Sequence, residues 1–471
     1  MSDDPISRRT LLGATAAAVL SGAAVAGAQQ LQESQQGHQG MKMPMPATPK
    51  PPPDPASGRA ADGPPRGLAP GVPGRDYTPV ITPNGVTLPF RVVNGVKVFH
   101  LIAEVLEHEF APGLKATCWG FNGRTIGPTI EAVDGDRVRI YVTNKLPEAT
   151  SVHWHGVILP SGMDGVGGLS QAPIPPGATF RYEYTLRQHG TCMYHSHYDE
   201  MTQLAFGMMG MFVIHPRNAD RRVDKDFVML SSEWRVAPGT SRPDPLEMTD
   251  FNVLTFNSKA FPATAPLLIQ RGDRVRIRFG NLSATDHHPI HVHGYAWHVV
   301  GTDGGDIPAA GQQPETTVLV PVGATRTVEF VANNPGDWAM HCHMSHHTMN
   351  QMGHRGGNWV GVKPAAIDDA VKGLLPDYMT MGTTGMAEMS EMAAMGGMTG
   401  MAHTGAPPRN SIPMLGGRGP FGNIDMGGML TVLKVRERVQ GQADPGWYTH
   451  PKGTVAEAAT EEELKRDGVG V

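Results

Sequence analysis

The sequence predicts an all-β protein built on two β-sandwich domains, and three observations lead there. From about residue 77, short β-branched runs recur between Gly, Asn, Asp and Pro: "DRVRIYVTN", "FRYEYTL", "MFVIHP", "RVRIRFGN", "HVVGTD" and "RTVEFVANN". Alternation within "RVRIYV" and "RVRIRF" is the period-two pattern of a strand buried on one face. The chain also repeats itself. "VDGDRVRIYVTNKLPEATSVHWHG" at 133–156 parallels "QRGDRVRIRFGNLSATDHHPIHVHG" at 270–294, and "QHGTCMYHSH" at 188–197 parallels "NPGDWAMHCH" at 334–343. Two homologous sandwiches are expected, at 77–220 and 221–365.

The flanks read differently. Residues 1–28 carry Arg8 and Arg9, an apolar run and Ala26-Gly27-Ala28, the layout of a twin-arginine export signal. A periplasmic or secreted protein is expected, with no stable membrane anchor, because the apolar run is short for a bilayer span. Residues 29–76 are too rich in Pro, Gly and Ala to form a core and read as a linker. Residues 366–424 read as a Met-rich insertion or tail, 425–437 as a returning strand and 438–471 as a C-terminal tail. A net charge of −5 gives nucleic acid no electrostatic footing.

Histidine carries the chemistry. Four His-x-His pairs occur: His153/His155, His195/His197, His291/His293 and His341/His343. On a strand, residues i and i+2 share a face, so each pair presents two imidazoles in one direction. Imidazole suits copper, zinc, iron and nickel. Cys342, one of only three cysteines, sits between His341 and His343. With His288, His347 and Met352 it can form the trigonal His₂Cys site with a distant Met that holds copper for electron transfer. Its flanking histidines point to the opposite face, so one short peptide can touch two metal centres.

These motifs, "HWHG", "HSH", "HPIHVHG" and "HCHMSHHTMNQM", resemble those of multicopper oxidases of the laccase type, in the same order. The resemblance implies the cupredoxin Greek-key fold and about four copper ions per subunit. A type 1 copper would take His288, Cys342, His347 and axial Met352. A type 2 copper would take His153 and His291. A type 3 pair would take His155, His195, His197, His293, His341 and His343. A small reducing substrate would lose single electrons at the type 1 copper, and O₂ would become water at the three-copper cluster.

Only 90 residues separate His197 from His288, too few for the extra domain of three-domain laccases. The chain therefore resembles the two-domain bacterial subfamily, including manganese-oxidising members. There the cluster forms between subunits of a homotrimer. Ser196 fills the slot equivalent to Cys342, so no blue copper is expected in the first domain. Cys118 and Cys192 are core thiols or a disulfide pair. By resemblance Asp164 assists proton delivery near the cluster; as a local motif it is a turn Asp before Gly165. Met386, Met389, Met392, Met395, Met398 and Met401 recur every third residue and would gather Cu(I) or pack adaptably over the substrate site. Met426 and Met429 rival Met352 for the axial position. The donor is left open among phenols, Mn(II) and Cu(I). A copper nitrite reductase would need its blue cysteine in the first domain, and a non-enzymatic copper-binding protein would show no turnover.

Overall fold

The computed structural model describes residues 68–218, 222–237, 239–350, 409–412, 416–439, 441 and 443–470. The export signal, most of the Pro-rich linker, Met352 and the Met-rich repeat lie outside the described residues. Strand is the dominant regular structure of the described chain, in the two-sandwich arrangement of cupredoxins.

In the first sandwich, one sheet runs Arg91–Val93, Val96–Ala111, Arg137–Asn144, Thr179–Thr185, with Leu114–Phe121 also on Val96–Ala111. The second sheet runs Ile130–Val133, Met209–His215, Gly190–Ser196, Val152–His153. Between them lie Phe99, Leu101, Val138, Ile140 and Val142 from one side, and Ile130, Trp154, Tyr194 and Phe212 from the other. Arg137–Asn144 buries every second residue, as its alternation requires.

The second sandwich repeats this plan. Lys225–Trp234, Arg274–Asn281, Thr325–Val331 and Trp297–Thr302 lie side by side in one sheet. The other sheet runs Leu267–Gln270, Leu430–Arg436, Gly336–Cys342, His288–Val292, Thr317–Val320. Leu430–Arg436 pairs parallel to Leu267–Gln270 and antiparallel to Gly336–Cys342, so a strand after the Met-rich stretch closes this sheet.

The alternation is broken at Arg278, only 4% exposed. Its Nε and Nη2 donate to the two carboxylate oxygens of Asp226 at 2.8 and 2.9 Å, and its Nη1 donates to Thr191 Oγ1 of the first sandwich at 2.9 Å. This charge is buried at the seam between the sandwiches, beside Met193, Met211, Val228 and Leu230. Cys118 and Cys192 are free, buried thiols in separate core clusters, which settles the choice against a disulfide between them. No helix among the described residues is long and apolar enough to cross a membrane.

Replacing Asp226 with Ala leaves Arg278 buried without its counter-charge. The expected cost is about 3–5 kcal/mol, read as a lower urea midpoint of the metal-free protein.

Candidate metal centres

The second-sandwich centre is set by strand register. His288–Val292 pairs with Gly336–Cys342 so that Ile290 lies opposite Cys342 and His291 opposite His341. Alternation then sends Cys342 to the core face and His341 to the other. Cys342 and His288 are fully buried and His347 nearly so. Cys342 Sγ lies 3.5 Å from His347 Nδ1 and 3.8 Å from His288 Nδ1, and the two Nδ1 atoms are 3.2 Å apart. Each ring is held from its far side: His288 Nε2 by Ser283 Oγ at 2.6 Å, His347 Nε2 by Asp286 Oδ2 at 3.2 Å. Both Nδ1 atoms are thereby aimed at the sulfur.

Burial holds His288 neutral, its pKa lowered to about 3, and likewise lowers that of His347. The thiol is pushed up to about 12, mainly by burial, so a metal ion binding there would displace its proton. Two neutral imidazoles and a displaceable thiol proton, packed within hydrogen-bond range, fit copper.

The eight histidines of the four His-x-His pairs form two groups of four. In the first, ligand atoms of His153, His155 and His195 lie within 4.8 Å of one another, and the His197 ring contacts His153 and His195. In the second, His291 contacts His293, His341 and His343. Among the described residues, each group's ring contacts stay within the group. His293 and His343 are exposed.

The groups share a hydrogen-bond pattern. His195 Nδ1 faces the Ser196 carbonyl and His341 Nδ1 the Cys342 carbonyl, each at 2.8 Å. His153 Nδ1 faces the Asp164 carbonyl, and His291 Nδ1 the Thr316 carbonyl, each at 2.9 Å. A carbonyl only accepts, so each Nδ1 carries the proton and each Nε2 keeps its lone pair. Burial lowers the pKa of His155, His293 and His341, and that of His195 to about 3.

Asp164 has both a turn role and a site contact. Gly165, at φ +86°, packs so tightly that a Cβ would meet the Val152 carbonyl oxygen at 1.7 Å. That turn brings the Asp164 carbonyl and its Oδ1, at 3.4 Å, to His153 Nδ1. Glu200, which the sequence did not single out, reaches His195 Nδ1 at 3.6 Å and His197 Nε2 at 3.7 Å.

The first sandwich has a filled version of the Cys342 site. Thr150, Ser196 and Gln203 occupy the places of His288, Cys342 and His347, all buried. Both hydroxyls donate to Gln203 Oε1, from Thr150 at 2.7 Å, and Gln203 Nε2 donates to the Ala149 carbonyl at 2.8 Å. A satisfied neutral network stands where a soft metal would need thiolate and imidazole.

Backbone bonds extend this correspondence. Cys342 N donates to the Met429 carbonyl at 3.0 Å, and Met429 N to the His347 carbonyl at 2.9 Å. In the first sandwich Ser196 N donates to Met208 and Met208 N to Gln203, both at 3.0 Å. Met429 is fully buried. Gly428, at φ +56°, lets the chain pass close to His347: a Cβ there would meet its carbonyl oxygen at 2.2 Å.

A cavity of about 590 Å³ is lined by the first histidine group together with Glu233 and Thr285. Glu233 is 6% exposed. Its Oε1 accepts from the amide nitrogens of Thr285 at 2.7 Å and Asp286 at 3.4 Å. Among the described residues its Oε2, also buried, has no hydrogen-bond donor within range. Burial, reinforced by Asp286, holds the Glu233 carboxyl above the ordinary carboxylate range. Asp286 lies two residues before His288, and that nearness was its sole signal in the sequence.

The multicopper oxidase sequence pattern matches residues 104–219 and again 238–356. Copper resistance protein A of Pseudomonas syringae pv. tomato is 29% identical over 241 residues, 41% of this chain and 39% of that protein. Laccase-1 of Cryptococcus neoformans var. grubii is 30% identical over 222 residues, 41% of this chain and 35% of that protein. The aligned segments thus span under two fifths of these relatives. The structure of a blue copper oxidase from Nitrosomonas europaea shares the fold, with TM-score 0.53 and 23% identity over 72% of this chain and 85% of that one. With the motifs, their repeat and these matches together, the chain belongs to the multicopper oxidases of the laccase type.

Proposed function

We propose that this chain is a copper-dependent oxidase of the two-domain kind. It takes single electrons from a phenol or metal ion at the Cys342 site and reduces O₂ to water at a cluster built from the two histidine groups. The carrying observation is the geometry at Cys342. Its sulfur faces two imidazole Nδ1 atoms, while His341, one residue away, belongs to a four-imidazole group. Held in these places, copper supplies one-electron transfer at the first centre and O₂ binding at the second.

The protein's own residues do the rest. Cys342 and His341 are consecutive in the backbone, giving a short covalent path between the centres. Ser283 and Asp286 fix the rings of His288 and His347. Asp164 fixes His153 and holds a carboxylate where protons are consumed. The reading assigns His153 and His291 to a type 2 copper, and His155, His195, His197, His293, His341 and His343 to a type 3 pair, about four ions per subunit in all.

For the axial ligand, Met429 is the better supported choice over Met352. The repeat supports it: Met208 follows Gln203 by the spacing that separates Met352 from His347, yet the backbone bonds of Met208 are matched by Met429. The Met-rich stretch is then an insertion within the ligand loop.

Each histidine group has four of the eight imidazoles, and His293 and His343 face outward. Completing a cluster calls for a second copy, and a cyclic homotrimer is the closed form this subfamily resemblance supports. The twin-arginine leader supports a periplasmic or secreted location.

Copper-loaded protein should absorb near about 600 nm and consume O₂ with 2,6-dimethoxyphenol, and Cys342→Ser should abolish both. An unchanged spectrum and rate in that variant would refute the reading. Met429→Leu should shift the blue band and raise the reduction potential, whereas Met352→Leu leaves both as in the parent; the reverse would restore Met352 as ligand. Light scattering should give a trimer, and a copper-loaded, active monomer would disprove the intersubunit cluster.

A further inference from the structure

We propose that the turn Pro175–Ala178 docks on the exposed His293 ring of a second copy of this chain, repeating between copies a contact that each chain makes within itself. This rests on the intersubunit cluster proposed above and names the element that sets two copies in register.

The template lies inside the chain. "IPPGATFRYEY" at 174–184 and "VPVGATRTVEF" at 320–330 are the same segment of the two repeats. Each opens with a tight turn: Ala178 N donates to the Pro175 carbonyl and Ala324 N to the Pro321 carbonyl, both at 3.1 Å. Gly177 and Gly323 take its left-handed position, at φ +82° and +71°. A buried asparagine grips each turn. Gly177 N donates to the Asn144 carbonyl at 2.7 Å, and Asn144 Nδ2 to the Ile174 carbonyl at 2.8 Å. Gly323 N donates to the Asn281 carbonyl at 2.9 Å, and Asn281 Nδ2 to the Val320 carbonyl at 3.0 Å.

The two turns differ in what they meet. The second-sandwich turn reaches the first histidine group: a Cβ on Gly323 would lie 3.7 Å from His155 Cε1, and the Gly323 backbone hydrogen-bonds that ring. The first-sandwich turn meets no ring. Pro175, Pro176 and Gly177 are exposed, and a Cβ on Gly177 would find no atom within 4 Å among the described residues. His293, the counterpart of His155 in the repeat, is exposed as well. Its Nε2 faces His341 Nε2 at 3.2 Å, which turns Nδ1 outward, unpartnered among the described residues.

One chain thus carries one completed turn-on-imidazole contact and the two unmatched halves of another. A turn on one copy meeting a ring on the next is a head-to-tail contact, the kind that closes into a cyclic oligomer. The turn is held rigid by Pro176 and Asn144, so docking it costs little conformational entropy.

The test uses copper-loaded protein with p-benzoylphenylalanine in place of Pro176, mixed from isotope-labelled and unlabelled chains. Irradiation should join position 176 of one copy to the 291–296 peptide of another, as read by mass spectrometry. Pro176→Lys, which sets an uncompensated charge in the contact, should raise the trimer dissociation constant by about tenfold or more in sedimentation. A trimer that cross-links elsewhere, or that Pro176→Lys leaves as stable as the parent, would overturn the contact while sparing the intersubunit cluster. A parent that is a copper-loaded, active monomer would sink both.

Discussion

The antiparallel pairing of His288–Val292 with Gly336–Cys342 is the constraint on which the rest depends. It sets Ile290 against Cys342 and His291 against His341. A slip of one residue would turn the sulfur outward and drive the imidazoles into the core. The register is anchored by apolar neighbours on both strands, Ile290, Val292 and Met340, all buried. The same packing that stabilises the sandwich therefore decides which donor atoms meet.

The two sandwiches show what one scaffold does with two sets of side chains. Strand pairing, the carbonyl bonds to His195 and His341, and the bonds around Met208 and Met429 coincide. What differs is the lining of one small chamber. Thr150, Ser196 and Gln203 satisfy one another, while His288, Cys342 and His347 leave three donor atoms facing inward. Neutral hydroxyl and amide groups offer a soft metal nothing; two imidazoles and a thiol become its ligands once the thiol proton is displaced.

Much of this was legible in the sequence. The fold class followed from alternation and the internal repeat, and the His-x-His pairs marked the strands that bring the imidazoles together. Arg278 was not legible as a buried residue, because its partners Asp226 and Thr191 lie 52 and 87 positions away. Glu200, Glu233 and Asp286 escaped for the same reason. An acid in a loop has no periodicity to mark it, and its meaning comes from what the fold lays against it. Met429 was seen as a contender, but only the carbonyl bonds showed that its backbone stands where Met208 does.

The interrupted ligand loop also bears on the order in which the chain assembles. Met208 follows Gln203 by five positions, but Met429 follows His347 by 82. In the unfolded chain, closing the longer separation costs about 2.5 kcal/mol more conformational entropy than closing the shorter one. Leu430–Arg436 is the bridge between Leu267–Gln270 and Gly336–Cys342, so the sheet is not continuous until that separation is closed. Completion of the second sandwich, and with it the backbone bonds of Met429 to Cys342 and His347, thus depends on a segment that enters from the far side of the insertion.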